Sequence, residues 1–125
     1  MISGAAGGIG RATAKRLSEL GASLVLTDIK EEKLQEVIKS LDGQENTAYA
    51  INFKDIESVE TAMDTICKEN GVMNGFVHCA GIAPMRPFKM TKYEDVLSTM
   101  QINFFSFVEI VHSISQKRFL MEAAS

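Results

Sequence analysis

The stretch S-G-A-A-G-G-I-G at residues 3–10 decides the fold, because it joins the end of a strand to the start of a helix. Met1 and Ile2 precede it as strand residues, and a helical pattern runs from Ile9 to Gly21. A glycine-rich loop at a helix N-terminus presents unpaired backbone N–H groups and a positive dipole end, which favour an anion. The stretch therefore predicts a phosphate-binding turn, and the pyrophosphate of a dinucleotide is its natural ligand.

Composition places the chain among ordinary globular domains. It has 125 residues, of which 46% are hydrophobic and 23% charged, and its net charge is −3. This charge argues against a nucleic-acid partner. No run reaches the roughly 20 apolar residues of a membrane span, and no secretory signal is visible, so we expect no membrane partner and a cytoplasmic location. Cys67 and Cys79 lack metal-site spacing, so we expect two reduced thiols and no metal.

Short runs rich in β-branched residues alternate with helical segments. Strands are predicted at 23–27, 47–51 and 76–79, in addition to the strand that ends at Ile2. Strands that alternate with helices form βαβ units, in which the strands are parallel and helices cover both faces of the sheet. The sequence therefore predicts an α/β fold.

Three helices are predicted from apolar residues at i, i+3, i+4 and i+7 spacing. Asp55 is predicted to cap the third of these helices and Gly71 to end it. The residues predicted to face the core are Ile9, Thr13, Leu17 and Leu20 in the first helix, Leu34, Val37, Ile38 and Leu41 in the second, and Val59, Met63, Ile66 and Cys67 in the third.

A fourth helix is predicted to begin at T-K-Y-E, residues 91–94, which fits the capping-box pattern. Ile102, Phe105 and Ile110 lie off its main apolar stripe, and a helix that is apolar on more than one face is usually buried on more than one side. The main stripe consists of Leu97, Met100, Phe104, Val108 and Val111.

Asp28 follows the second strand, 18 residues after Gly10, close to the spacing of about 20 residues for an acid that binds a ribose. Its carboxylate can accept hydrogen bonds from the ribose hydroxyls of adenosine and repels a 2′-phosphate. Two unit charges about 4 Å apart interact by about 4 kcal/mol at a dielectric near 20, so even after screening NAD is favoured over NADP by about tenfold or more. The alternative is that Asp28 only caps a turn, and Lys30 nearby can weaken the preference.

Several stretches together resemble one known family. S-G-x-x-x-G-I-G is similar to the T-G-x-x-x-G-x-G loop of the short-chain dehydrogenase/reductase family, with Ser3 in place of the threonine. V-H-C-A-G-I at 77–82 stands where that family has N-N-A-G, and Asn103 stands at the position of its helix-four asparagine. Asp28 occupies the position of the acid in NAD-preferring members. The resemblance covers essentially the whole chain.

The resemblance implies an NAD(P)-dependent oxidoreductase that transfers a hydride between the cofactor and a small alcohol or carbonyl substrate. It implies a Rossmann-type doubly wound parallel sheet with strand order 3-2-1-4. Asn103 is implied to be catalytic, supporting a proton relay through its backbone and a bound water. The implied cofactor-binding residues are Ser3, Gly4, Gly8, Ile9 and Gly10 in the glycine loop, Asp28 and Ile29 after the second strand, Asn52 and Phe53 along the adenine, and Cys79, Ala80 and Gly81 under the nicotinamide-side ribose.

His78 and Cys79 depart from the family pattern, because they replace its asparagine pair. A nucleophilic pair formed by these two residues is excluded, since neighbouring residues of a strand point to opposite faces. We interpret His78 as a core histidine whose ring nitrogens find hydrogen-bond partners.

The chain also lacks the serine and the Tyr-x-x-x-Lys pair with which the family performs its chemistry. Tyr49 is followed four residues on by Phe53, and Tyr93 by Leu97. We therefore expect residues 1–125 to form a single NAD(P)-binding domain, incomplete at both ends and truncated before strand five, that is inactive alone. An exposed fourth strand and an apolar fourth helix predict a homo-oligomer. A non-catalytic dinucleotide-binding or regulatory module and a scaffold without a ligand remain as alternatives.

Overall fold

A computed structural model describes residues 1–43 and 45–124 of the chain. Its four strands are parallel and lie in the order β3-β2-β1-β4, which confirms the predicted α/β sheet. Each predicted strand is correct to within two residues at either end. The strands are β1 (Ile2–Ser3), β2 (Val25–Asp28), β3 (Thr47–Ala50) and β4 (Val77–His78).

Helices follow each strand, as the alternating pattern predicts. The region predicted as one fourth helix is two α-helices joined by a π-helical segment at Gln101–Phe105, and a short 3₁₀ turn at Phe88–Met90 precedes it. The α-helices are α1 (Gly8–Glu19), α2 (Glu31–Lys39), α3 (Ile56–Asn70), α4 (Tyr93–Met100) and α5 (Ser106–Ala124).

The third helix has the predicted ends, and the second and third helices bury residues of the predicted faces, although Leu41 lies beyond the end of α2 at Lys39. The Asp55 carboxylate accepts hydrogen bonds from the backbone N–H groups of Glu57 and Ser58, so it caps α3. Gly71 ends α3 with a φ of +72°, a conformation that favours glycine. The residues buried on the two helices all belong to the predicted faces: Leu34, Val37, Val59, Met63, Ile66 and Cys67.

The predicted face of α1 is wrong at Ile9 and Leu20, although Leu17 packs against buried apolar residues as predicted. Ile9 is 77% exposed and Leu20 is 65% exposed, whereas the residues that α1 buries are the small ones Gly10, Ala14 and Ser18. Small side chains allow the helix axis to come close to the sheet and to the glycine loop. The close approach of α1 to the sheet, rather than the size of its apolar side chains, therefore determines which face of α1 is buried.

The start and the faces of the fourth helical region also differ from prediction. The Asp95 carboxylate, not that of Glu94, accepts the backbone N–H of Lys92 at 2.9 Å, so the capping pair is shifted by one residue. Ser106 and Ile110 are fully buried, with Ile102 and Ile114 packed nearby. Burial is thus confined to one side of this region. The five residues of the predicted stripe are each 37–49% exposed: Leu97, Met100, Phe104, Val108 and Val111.

The sheet separates two apolar clusters, as a doubly wound fold requires. Successive strand residues alternate between them, so that Val25 faces one cluster and Leu26 the other. The cluster under α1 and α2 contains Ile2, Ala5, Ala14, Leu24, Leu26, Leu34 and Val37. The cluster under α3 and α5 contains Met1, Val25, Ile51, Phe53, Val59, Met63, Ile66, Cys67, Met73 and Ile110.

None of the helices described at 1–43 and 45–124 is long and apolar enough to cross a bilayer. Within the same residues, no group of three His, Cys, Asp or Glu side chains is arranged to hold a metal ion. Cys67 and Cys79 are both free thiols.

Candidate functional site

The glycine loop is held by close backbone contacts that only glycine permits. Gly4 has a φ of +64°, and a Cβ placed on it would lie 2.5 Å from the Ala80 nitrogen and 2.6 Å from the Cys79 carbonyl carbon. A Cβ on Gly10 would lie 2.1 Å from the Gly4 carbonyl oxygen. The β1–α1 turn therefore packs directly on the end of β4 on one side and on the first turn of α1 on the other.

The N-terminus of α1 is open to a ligand. Its N-cap residue Gly7 has no side chain to cap the helix, and the first turn carries no acid. A Cβ placed on Gly8 would meet no atom within 4 Å. Unpaired N–H groups and the positive dipole end thus face free space, which is the environment that an anion such as a phosphate requires.

Asp28 lies at the carboxyl end of β2, directly beside the glycine loop. One carboxylate oxygen accepts the backbone N–H of Ala6 at 3.1 Å, and the other accepts the backbone N–H of Lys30 at 3.3 Å. The second contact is the turn cap foreseen as the alternative role for Asp28, and the first ties the carboxylate to the loop. The half-buried carboxylate thus stands next to the candidate phosphate site.

A cleft of about 300 Å³ opens at the carboxyl end of the sheet. It lies beside β1, where the strand order reverses: β2 and β3 lie on one side of β1 and β4 on the other, and open parallel sheets bind their ligands at such a position. Eight of the predicted cofactor-binding residues line it: Gly4, Asp28, Ile29, Asn52, Phe53, Cys79, Ala80 and Gly81.

Four further residues line the cleft without having been predicted. Gly7 belongs to the glycine loop, Lys54 follows the predicted adenine pair, and Ile82 ends the quoted stretch 77–82. Ile102 precedes Asn103. Each is a direct neighbour of a motif residue or lies within a motif, so extending each motif by one position would have found them.

The other predicted residues lie around the cleft rather than on its lining. Gly8, Ile9 and Gly10 form the first turn of α1, where the exposed Ile9 side chain projects from the helix. Ser3 is fully buried in β1, behind the lining residue Ala80, whose backbone N–H it accepts at 3.4 Å. The side chain of Ser3 therefore supports the cleft floor from beneath.

Asn103 lies at the centre of the π-helical segment and clamps the loop after β4. Its Oδ1 accepts the backbone N–H of Ile82 at 2.8 Å, and its Nδ2 donates to the Ile82 carbonyl at 2.8 Å. Its own backbone carbonyl lies 3.2 Å from Nε2 of His78. The carbonyl predicted to support a proton relay is thus already one partner of an imidazole.

His78 has a partner at each ring nitrogen, as predicted, although it is half-buried. Its Nδ1 lies 2.7 Å from the Ser3 hydroxyl, and its ring packs against Phe76 and Phe107, whose rings also stack on each other. Burial lowers the pKa of His78 below its ordinary value of 6.5, while the nearby carbonyls of Asn103 and Ile102 act in the opposite direction. Cys79 packs against the cluster on the other face of the sheet, which confirms that the two residues do not pair.

A family model described as short chain dehydrogenase matches residues 1–124. The chain belongs to the short-chain dehydrogenase family. Members of this family are NAD(P)-dependent oxidoreductases, so the resemblance read from the motifs is confirmed. The strand order and the cleft at the carboxyl end of the sheet agree with this membership.

Similar proteins of this family include enzymes from animals and bacteria. The chain is 32% identical to carbonyl reductase family member 4 of Danio rerio, over 82% of this chain and 44% of that protein. It is 33% identical to 3-hydroxyacyl-CoA dehydrogenase type-2 of Drosophila melanogaster, over 82% and 42%. A dehydrogenase/reductase structure from Sinorhizobium meliloti superimposes with a TM-score of 0.83 at 30% identity, over 92% and 47%. The chain thus spans less than half of each of these relatives.

The contrast between Gly10 and Gly8 gives a test of the loop packing. Gly10→Ala places a methyl group against the Gly4 carbonyl, so we expect the free energy of unfolding to fall by about 1–3 kcal/mol. Gly8→Ala, whose methyl group meets nothing, is the matched control and is expected to change stability by less than about 0.5 kcal/mol. Denaturant unfolding measures both, and equal losses for the two variants would contradict the packing account.

Proposed function

We propose that this chain is the dinucleotide-binding portion of an NAD-linked oxidoreductase that transfers a hydride to or from an alcohol or carbonyl carbon. The observation that carries the proposal is the cleft in which the glycine loop, Asp28 and the loop after β4 meet. The names of two relatives, a carbonyl reductase and a 3-hydroxyacyl-CoA dehydrogenase, describe chemistry at such carbons.

The chemistry of the lining fits each part of a dinucleotide. The open first turn of α1, with Gly8 and Gly10, suits the pyrophosphate, and the Asp28 carboxylate suits the ribose hydroxyls. Ile29 and Phe53 offer apolar surface for the adenine, and the Asn52 amide offers a polar group for its edge. The second ribose, on the nicotinamide side, would lie over the loop formed by Cys79, Ala80 and Gly81.

When bound, the nicotinamide supplies the acceptor or donor of the hydride. The residues of this chain bind and orient the dinucleotide, and the carbonyl of Asn103 supports movement of the alcohol proton through a bound water. That proton also needs an acid or base close to it, and the family uses a tyrosine with a neighbouring lysine. Neither Tyr49 nor Tyr93 begins such a pair, so residues 1–125 by themselves bind the dinucleotide without turning it over.

The mass and the turnover of the native protein test the proposal. We expect protein isolated from its own cell to have a mass well above 13.7 kDa and to convert NAD to NADH with members of an alcohol panel. The 125-residue chain, prepared separately, is expected to give a thermal shift with NAD and no turnover. Steady NADH production by the 125-residue chain alone would contradict the proposal that the acid or base for proton transfer lies outside residues 1–125.

A non-catalytic dinucleotide-binding or regulatory module is the second candidate. The observation that favours it is the absence of a Tyr-x-x-x-Lys pair from the chain. A native mass near 13.7 kDa, together with NAD binding and no turnover, would establish this candidate over the enzyme. A native protein that shows no shift with NAD, NADP or adenosine nucleotides would favour the scaffold without a ligand and contradict both.

Asp28 sets the expected preference for NAD over NADP. Asp28→Asn removes the charge that repels a 2′-phosphate but keeps an oxygen that can accept the Ala6 N–H, so we expect the ratio of NADP to NAD affinity to rise by about tenfold or more. Glu31→Gln removes the same charge three residues away, outside the cleft lining, and is expected to change the ratio by less than about twofold. Calorimetric titration with both dinucleotides measures the ratio, and an unchanged ratio in Asp28→Asn would remove Asp28 from cofactor selection.

The exposed stripe on α4 and α5 supports self-association of the chain. Its five apolar side chains, which include Phe104 and Val108, are each 37–49% exposed. We expect Val108→Glu to shift the native protein toward monomers in sedimentation velocity. Lys15→Glu places the same acid on α1, which covers the opposite side of the sheet, and is expected to leave the assembly intact. A wild-type protein that stays monomeric at high concentration would overturn this expectation.

A further inference from the structure

A continuous chain of hydrogen bonds runs beneath the floor of the cleft. The Ala80 backbone N–H donates to the Ser3 hydroxyl at 3.4 Å, and that hydroxyl lies 2.7 Å from Nδ1 of His78. On its other side, Nε2 of His78 lies 3.2 Å from the Asn103 carbonyl oxygen. The side chain of Asn103 returns to the loop through its two hydrogen bonds to Ile82. The loop after β4 is therefore tied at both of its ends to the same imidazole.

The direction of each bond follows from what the groups can donate. A carbonyl oxygen only accepts, so Nε2 of His78 must carry the proton that it shares with Asn103. In the neutral imidazole, Nδ1 is then an acceptor, and the Ser3 hydroxyl donates to it. The Ser3 oxygen remains free to accept the Ala80 N–H. One tautomer of neutral His78 thus satisfies every member of the chain.

The bonded loop forms part of the cleft lining itself. Ala80, Gly81 and Ile82 all face the cleft, whereas Ser3 and His78 do not. A shift of Ala80 would also disturb Gly4, because the two backbones are already at the limit of approach. The hydrogen bonds that hold the loop 80–82 in place therefore also determine the shape of the cleft floor on which a dinucleotide would lie.

We propose that His78 is a positioning residue of the dinucleotide site, which holds the loop 80–82 in its binding geometry through Ser3 and Asn103 and does so only as the neutral Nε2–H tautomer. This inference rests on the proposed dinucleotide binding. His78 itself touches neither the cleft nor the ligand, so it acts through the two residues that it joins.

Protonation reverses the hydrogen bond at Ser3. The Nδ1–H of a protonated His78 would donate to the Ser3 oxygen, so the Ser3 O–H would lose its acceptor while it remains fully buried. Among the described residues, the groups that act on His78 are the Ser3 hydroxyl from β1, the Asn103 and Ile102 carbonyls from the π-helical segment, and the rings of Phe76 and Phe107, and none of these carries a charge. Because burial lowers the pKa of His78 below 6.5, the neutral form prevails at pH 7. Binding is therefore complete above this lowered pKa and weakens as the pH falls through it.

Calorimetric titration of the intact native protein with NAD, from about pH 5 to about pH 8, tests the proposal. His78→Phe keeps an aromatic ring against Phe76 and Phe107 but makes no hydrogen bond, and we expect it to weaken NAD binding by about tenfold at neutral pH. His78→Gln retains a donor and an acceptor that cannot titrate, so we expect it to restore most of the affinity and to remove the pH dependence. His112→Phe makes the same substitution at an exposed histidine of α5 and serves as the matched control.

A double-mutant cycle separates positioning from simple packing. If Ser3 and His78 act through the same chain of hydrogen bonds, Ser3→Ala and His78→Phe each weaken NAD binding. The double variant then binds NAD no more weakly than the single variant with the lower affinity. The ¹⁵N resonances of the His78 ring report the tautomer directly, and the amide resonances of Ala80 and Ile82 report the loop. Thermal unfolding of each variant shows that it is folded.

The outcomes are distinct. Wild-type protein that fails to bind NAD overturns the proposed function, and with it the role of His78 in binding. Wild-type protein that binds NAD with the same affinity and pH profile as His78→Phe overturns the inference alone. A ring resonance that shows Nδ1–H as the neutral tautomer also overturns it, whatever the affinities. Weakened binding in His78→Phe, pH-independent rescue in His78→Gln and displaced Ala80 and Ile82 amides together support it.

Discussion

Close backbone contact at Gly4 is the constraint on which the rest of the structure depends. At this residue the turn after β1 meets the end of β4, and Gly10 of α1 rests on the carbonyl of Gly4. No side chain fits in either contact. The contacts bring three elements together at the carboxyl end of the sheet: the strand that enters the loop, the helix that leaves it, and the neighbouring parallel strand. The cleft exists because these elements converge there.

Charge and hydrogen bonding then give this cleft its chemical character. Two of its polar features are the uncapped N-terminus of α1, which favours an anion, and the Asp28 carboxylate, which favours hydroxyl groups. They stand side by side because Asp28 accepts the N–H of Ala6 within the glycine loop. An anionic pyrophosphate and a ribose are adjacent in a dinucleotide in the same way. On the far side, Asn103 spans the loop after β4 from a π-helical segment, a form of helix that often occurs at functional sites.

Membership of the short-chain dehydrogenase family accounts for the sheet and for the cleft, and it makes the departures of this chain informative. The histidine at position 78 occupies a place where the family pattern has an asparagine, and it bonds to two residues that are themselves family positions, Ser3 and Asn103. His78 is therefore hydrogen-bonded to residues around the cleft and is not an isolated difference from the family pattern. The residues that line the cleft all lie within a chain that spans less than half the length of these relatives.

The sequence pattern was sufficient to predict a structural feature wherever the interactions that determine the feature join residues close together in the chain. The glycine loop, the Asp55 cap, the faces of α2 and α3, and the position of Asp28 after β2 could all be predicted, because a cap or an amphipathic repeat involves residues a few positions apart. Together with the family motifs, these patterns also predicted the strand order and eight of the residues that line the cleft. Only the tertiary structure decided which side of α1 is buried, since the distance between helix and sheet selects Gly10 and Ala14 over Ile9. The bond between Ser3 and His78 likewise joins residues 75 positions apart, and such pairs form only when parallel strands are brought side by side.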